Sequence, residues 1–171
     1  MMLSAPNRLC AMIAAVFVGA IAPAHSQQQR AANYSAAVGG TLIPPGRTVI
    51  DGRRMSCGSA PTVLDSQVRD FGESHPGFLV LNPNLVAGVS TSVKLWIYSH
   101  ECAHQTVGRN EGRADCVAVQ RGRREGWLSS AGLAQVCDLM RRSPGDSTHF
   151  AGSERCALIQ QCYAPRSKTK H

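Results

Sequence analysis

Aromatic and acidic residues are scarce in this 171-residue chain, which has only nine Phe, Trp and Tyr residues and 11 Asp and Glu residues. Against 18 Lys and Arg residues, the shortage of acids leaves a formal net charge of +7 and excludes an acidic disordered chain. The basic residues form short groups separated by acids, and too few aromatics accompany them to build a base-stacking surface. We therefore expect a basic protein surface and no nucleic-acid partner.

Long hydrophobic runs are absent after residue 26. No later stretch approaches the roughly 20 apolar residues that a membrane-spanning helix needs. Residues 1–26 have the form of a signal peptide, in which Arg8 precedes an apolar run over 9–22 and Ala24-His25-Ser26 offers a cleavage site before Gln27. An uncleaved membrane anchor is the alternative interpretation. Cleavage predicts a secreted or periplasmic protein with no stable membrane insertion.

Six of the seven cysteines would remain after cleavage, because Cys10 leaves with the signal peptide. They are Cys57, Cys102, Cys116, Cys137, Cys156 and Cys162. An even number in an exported chain predicts disulfides, up to three of them, formed in an oxidising compartment. Sequence does not choose among the possible pairings, except that Cys156 and Cys162 lie too far apart along one predicted helix to pair with each other.

Predicted strands occupy the first half of the chain. Residues 27–45 are small and polar with interspersed proline and glycine, and are interpreted as a flexible lead-in. Asp51-Gly52 joins two short runs and predicts a hairpin over 48–55. Further strands are predicted at 61–64 and 77–83.

Predicted helices follow the strands. The capping residues and apolar spacing place them from Ser90 or Thr91 to about Thr106, from Asn110 to about Gly122, over 128–140 and over 153–162. Strands followed by helices predict an α+β domain over 46–163, with short strands and a hairpin sheet ahead of the helices and a basic tail at 164–171.

The segment His100-Glu101-Cys102-Ala103-His104 is an H-E-x-x-H motif on a predicted helix. Residues four apart share a helix face, so both imidazoles can bind one ion while Glu101 reaches water at that ion. Cys102 lies two residues from each histidine and therefore faces away from the shared side. Two surface histidines flanking an unrelated glutamate are the alternative.

A third ligand is predicted at Glu111, seven residues after His104. Gly108 permits a tight turn and Asn110 caps the next helix, which brings a carboxylate beside the two histidines. Zinc held by two imidazoles and one carboxylate keeps a fourth position open for chemistry.

Asp115 lies one turn after Glu111 on the same helix face. It can accept a hydrogen bond from the outer ring nitrogen of a ligating histidine. Two alternatives remain open, namely a solvated acidic face and a structural zinc site that uses Cys102 or Cys116.

The motifs over 100–115 resemble those of the gluzincin zinc metallopeptidases. The pattern is most similar to the membrane-embedded zinc endopeptidases of the CAAX-processing and heat-shock type, whose second helix reads Glu-x-x-Ala-Asp. Those families also carry Ser/Thr-His-Pro-x-x-x-x-Arg, and here His149 precedes Arg155 at that interval with Phe150 in place of proline. The resemblance implies a small zincin-like fold and a zinc peptidase whose active site includes His149 and Arg155. The chain departs from these families in its short interval between the second histidine and the glutamate and in having no flanking membrane helices.

These features predict hydrolysis of peptide bonds in a peptide or protein substrate. Glu101 is expected to take a proton from the activated water and return it to the leaving amine, while His149 or Arg155 stabilises the oxyanion. A loop histidine and a helix-surface ion pair are the alternative interpretations of those two residues. The strand at 78–81 is expected to be sheet core or an edge to which extended substrate adds. The alternative function is a non-catalytic, disulfide-braced envelope binding module that retains the zincin fold.

Overall fold

The computed structural model describes residues 22–145 and 151–164. In chain order the elements are α1 (Ala22–Val38), β1 (Thr41–Ile43), β2 (Thr48–Ile50), β3 (Arg53–Met55), β4 (Thr62–Leu64), β5 (Gly72–His75), β6 (Phe78–Leu81), α2 (Pro83–Ala87), α3 (Thr91–Val107), α4 (Glu111–Arg124), α5 (Ser130–Met140) and α6 (Gly152–Tyr163). The predicted α+β class is confirmed. The hairpin is also confirmed, because positive φ angles at Asp51 (45°) and Gly52 (82°) make the tight turn between β2 and β3.

The segment 27–45 is not the flexible lead-in predicted from its composition, because it contains most of α1 and all of β1. Its small residues form a buried contact with the sheet, where Ala31 is fully buried and the Tyr34 ring lies 5.4 Å from the Phe78 ring. Composition alone missed this contact, since it involves a strand far along the chain. Among the described residues, no helix is long and apolar enough to span a membrane.

Four strands form a mixed sheet in the order β1-β4-β6-β5, in which β4 and β6 are parallel and the other neighbours antiparallel. The central strand β6 is buried at every position because α1 covers one face and α3 the other. Phe78 and Val80 pack with α1, whereas Leu79 and Leu81 join the larger core. The expectation that 78–81 is sheet core is confirmed, the alternative edge role is wrong, and the edge strand beside α3 is β5.

Three disulfides brace the domain, as predicted, and pair Cys57 with Cys102, Cys116 with Cys162, and Cys137 with Cys156. The first joins the loop after β3 to α3, and the other two join α4 and α5 to α6. A structural zinc site built on Cys102 or Cys116 is excluded, because both sulfurs are already paired. Three disulfides are typical of an exported protein.

Candidate metal centre

Three side chains from two consecutive helices converge at the junction of α3 and α4. His100 and His104 lie one turn apart on α3, and Glu111 is the first residue of α4. The two Nε2 atoms of the histidines are 3.1 Å apart. Glu111 Oε2 lies 3.1 Å from His100 Nε2, and Glu111 Oε1 lies 3.4 Å from His104 Nε2. The structure thus brings together the three ligands predicted from the sequence.

Local signals in the sequence create the reversal between the helices. Gly108 has a φ of 63°, and its N–H closes α3 by donating to the carbonyl oxygen of His104 at 3.1 Å. The Asn110 side chain accepts a hydrogen bond from the backbone N–H of Arg113 at 3.0 Å and so caps α4. The predicted turn and cap are both confirmed.

The outer nitrogens of the two histidines determine where their protons lie. His104 Nδ1 is 2.6 Å from the carbonyl oxygen of Gly108, which can only accept a hydrogen bond. His100 Nδ1 is 2.9 Å from Asp115 Oδ1, although the ring N–H does not point straight at that oxygen. Both Nδ1 atoms therefore carry a proton, and loss of any further ring proton leaves the Nε2 atoms with lone pairs directed at the centre.

Two imidazole lone pairs and a carboxylate repel one another when they converge on one point with no hydrogen-bond donor between them. A bound cation or additional protons remove this repulsion. Ligands bound tetrahedrally to zinc at about 2.0–2.1 Å would lie roughly 3.3 Å from each other. The observed separations of 3.1–3.4 Å are close to that value. The donor set is chemically suited to a divalent cation that prefers nitrogen and oxygen ligands.

Electrostatics at the centre favour charged side chains. Burial alone would lower the pKa of His100, but its contacts with Asp115 and Glu111 outweigh burial and raise that pKa to about 9. The contact with Glu111 also raises the pKa of His104. Burial would raise the pKa of Glu111, yet the two imidazoles hold it far below its usual range. Without metal, the centre therefore retains a proton that an incoming cation must displace.

Asp115 and Arg155 form a second layer behind His100. Asp115 is fully buried and accepts two hydrogen bonds of 2.8 Å from Arg155, through Nε and Nη2. Burial would raise the pKa of Asp115, but His100 and Arg155 together lower it. The Arg155 guanidinium also lies 5.9 Å from the centre of the Trp96 ring. Arg155 is thus held inside the site and not on the helix surface.

Glu101 lies on α3 next to His100 in sequence and is 9% exposed. Burial raises the pKa of its carboxyl group. Glycine at position 72 leaves room for it, since a Cβ there would lie 3.0 Å from Glu101 Cγ. The other predicted catalytic residue, His149, lies outside the described residues.

A cleft of about 1110 Å³ opens beside the three candidate ligands and is lined by β5, α3, the end of α5 and Arg155. Gln105 connects two of these walls by donating hydrogen bonds to Ser74 Oγ at 2.6 Å and to the carbonyl oxygen of His75 at 2.9 Å. Its own side-chain oxygen accepts from the N–H of Gly77 at 2.9 Å. Sequence reasoning missed β5 and Gln105, and the only available signal was the position of Gln105 directly after His104.

Comparison of the chain with protein-family models, curated proteins and solved structures found no match. The resemblance to gluzincin peptidases therefore depends on the motif residues alone.

Proposed function

We propose that this protein is an exported, zinc-dependent peptidase of minimal zincin-like form. The observation that carries the proposal is the convergence of three side chains that each offer one ligand atom, from His100, His104 and Glu111, beside a buried glutamate in an open cleft. The three disulfides support export, because such bonds persist in oxidising compartments.

Zinc fits the donor set better than magnesium or calcium, which prefer all-oxygen ligands. His100, His104 and Glu111 would hold it. Zinc bound by such a set supplies Lewis acidity and lowers the pKa of a water molecule toward about 7.

Glu101 is the proposed general base. Because burial raises the pKa of its carboxyl group, the carboxylate is a better proton acceptor than an exposed glutamate would be. It would take the proton of the attacking water and deliver it to the leaving amine. An uncharged carboxamide at this position can do neither.

Arg155 is proposed as a positioning residue and not as the oxyanion donor expected from the resemblance. Its Nε and Nη2 donors are both committed to Asp115, which in turn lies against His100. This chain of contacts fixes the orientation of one ligand ring. Stabilisation of the oxyanion by His149 stays a prediction.

The edge strand β5 is the proposed docking site for substrate backbone. Within the described residues β5 pairs with β6 on one side only, and its residues line the cleft. An extended peptide can add to such an edge through main-chain hydrogen bonds. Gln105 holds the end of β5 beside the candidate metal ligands and so fixes the position of the proposed docking strand relative to the metal centre.

Two glutamate variants test the proposal. Glu101→Gln should retain one zinc per chain and lose hydrolysis of an unfolded protein substrate, whereas Glu111→Ala should lose zinc affinity. Glu154→Gln is the matched control, because Glu154 is exposed on α6 and lies outside the cleft. Wild-type cleavage should stop with a chelator and return with added zinc. Zinc binding without cleavage of any peptide would instead favour a non-catalytic binding module.

A further inference from the structure

We propose that the cleft selects acidic peptide segments, with Asp or Glu side chains on both sides of the bond to be cleaved. The inference rests on the proposed peptidase function and adds a substrate class to it. Three arginines that line the cleft carry it, namely Arg30 on α1, Arg109 between α3 and α4, and Arg142 just after α5.

The charges of these three arginines are available to a ligand. All three are exposed, and none forms an ion pair within 22–145 or 151–164. Arg155, the fourth arginine of the cleft, differs because Asp115 neutralises it. A peptide in the cleft therefore meets three guanidinium groups that have no ion-pair partner among the described residues, each able to hold a carboxylate in a forked hydrogen bond.

The direction of β5 relates the arginines to the metal centre. A Cβ on the first residue of β5, Gly72, would touch Glu101, and the carbonyl of its last residue, His75, accepts from Gln105. On α3, His100 directly precedes Glu101, and His104 directly precedes Gln105. A peptide paired with β5 consequently passes the metal centre along the middle of its bound segment.

Two of the arginines lie toward the end of the cleft where β5 turns into β6. Gln27 packs against Gly77 in that turn so closely that a Cβ on the glycine would clash. Arg30 is about one turn further along α1, and Arg109 follows directly from the last turn of α3.

Arg142 lines the cleft from the segment just after α5. It follows Met140, whose backbone packs against Gly152 at the start of α6. That helix carries Arg155 over the Trp96 ring, near the beginning of α3. Arginines from α1, from the α3–α4 turn and from the end of α5 thus line the cleft that contains the candidate metal centre.

Two acidic side chains besides Glu101 and Glu111, those of Asp70 and Glu73, also line the cleft. Glu73 Oε2 lies 3.2 Å from His75 Nε2 on the same strand. The charge of Asp70 contributes to the raised pKa values of Glu101 and Arg155, so its carboxylate lies near both side chains. The net charge of +7 on the whole chain adds a long-range attraction for acidic segments.

Quenched fluorescent peptides with one cleavable core test the proposal, with Glu, Gln or Lys placed on both sides of the core. The Glu peptide should show the lowest KM, and that KM should increase with NaCl because salt screens exposed charges. Arg30→Glu, Arg109→Glu and Arg142→Glu should each raise KM for the Glu peptide by about fivefold and lower it for the Lys peptide. Arg54→Glu, on an exposed position of β3 outside the cleft, should leave both values unchanged.

A binding measurement separates this inference from the peptidase proposal. Zinc-loaded Glu101→Gln protein should bind the Glu peptide more tightly than the Gln peptide in fluorescence anisotropy, and the three arginine variants should remove the difference. Equal binding, or no binding, overturns the acidic preference whether or not the wild type is active. Cleavage of all three peptides with equal KM also overturns it, while leaving the peptidase function intact. Acid-selective binding without any cleavage supports the preference and contradicts the peptidase function.

Discussion

Arg155 donates two hydrogen bonds to the fully buried carboxylate of Asp115, from Nε and Nη2, each 2.8 Å long. Removing the guanidinium would leave a buried carboxylate without its strongest partner. We predict that Arg155→Met lowers the free energy of unfolding by about 3–5 kcal/mol in urea denaturation. Arg141→Met should cost less than about 1 kcal/mol, since its pair with Asp138 is exposed. Equal losses in the two variants would contradict the buried pair.

The conservative variant Arg155→Lys separates positioning from stability. Lysine keeps the positive charge but cannot make the two-pronged contact with Asp115. We expect zinc affinity to fall by about 10-fold or more, because the contact that orients His100 loosens. A competition titration with a zinc chelator measures the change. An unaltered affinity would show that Arg155 serves the fold alone.

Zinc affinity should increase with pH. The pKa of His100 is raised to about 9, since its contacts with Asp115 and Glu111 outweigh the opposing effect of burial. Below that pH the metal-free centre holds a proton that zinc must displace, so affinity should rise roughly tenfold per pH unit for each proton and level off above pH 9. Calorimetry in buffers of different ionisation enthalpy counts the released protons. A constant affinity between about pH 6 and pH 8 would contradict the assignment.

Gly72→Ala should reduce catalysis more than zinc binding. The added Cβ would lie 3.0 Å from Glu101 Cγ and 3.0 Å from the backbone oxygen of Val80, so the glutamate side chain has to move. We expect kcat to fall about 10-fold or more while zinc stoichiometry stays the same. Gly88→Ala is a suitable control, because its Cβ would meet only Leu85 O at an ordinary 3.5 Å. Equal kcat values for the two variants would contradict a catalytic role for Glu101.

Gln105→Ala should weaken substrate binding. The side chain joins the metal-bearing helix to the β5–β6 turn through Ser74, His75 and Gly77. Losing these bonds should cost about 1–3 kcal/mol of stability and raise KM for peptides more than it lowers kcat. Gln135→Ala, which removes an exposed contact with Ser90, should change neither constant. A fall in kcat alone would show that Gln105 does not shape the docking strand.

The convergence of His100, His104 and Glu111 could be predicted from the sequence because these residues are close together in the chain. Gly108 and Asn110 set the turn and the cap by their own backbone and side-chain preferences, and those preferences place Glu111 beside the H-E-x-x-H helix. Helix periodicity then places Asp115 on the same face. Nothing distant in the chain was needed for this part of the site.

The rest of the cleft depends on contacts between distant residues. The strand β5 reads Gly-Glu-Ser-His, without the apolar alternation of a strand, and forms because it pairs with β6 and is held by Gln105. Arg155 reaches Asp115 across 40 residues of chain. The packing of α1 on the sheet likewise joins residues that no local pattern connects.

Zinc X-ray absorption on the purified, oxidised protein tests the central claim most directly. We predict one zinc per chain, with two imidazole nitrogens and oxygen ligands at about 2.0–2.2 Å and no sulfur near 2.3 Å. Glu111→Ala should change the oxygen shell and weaken binding. A sulfur shell, or a spectrum and affinity unaffected by that variant, would contradict a centre built by His100, His104 and Glu111.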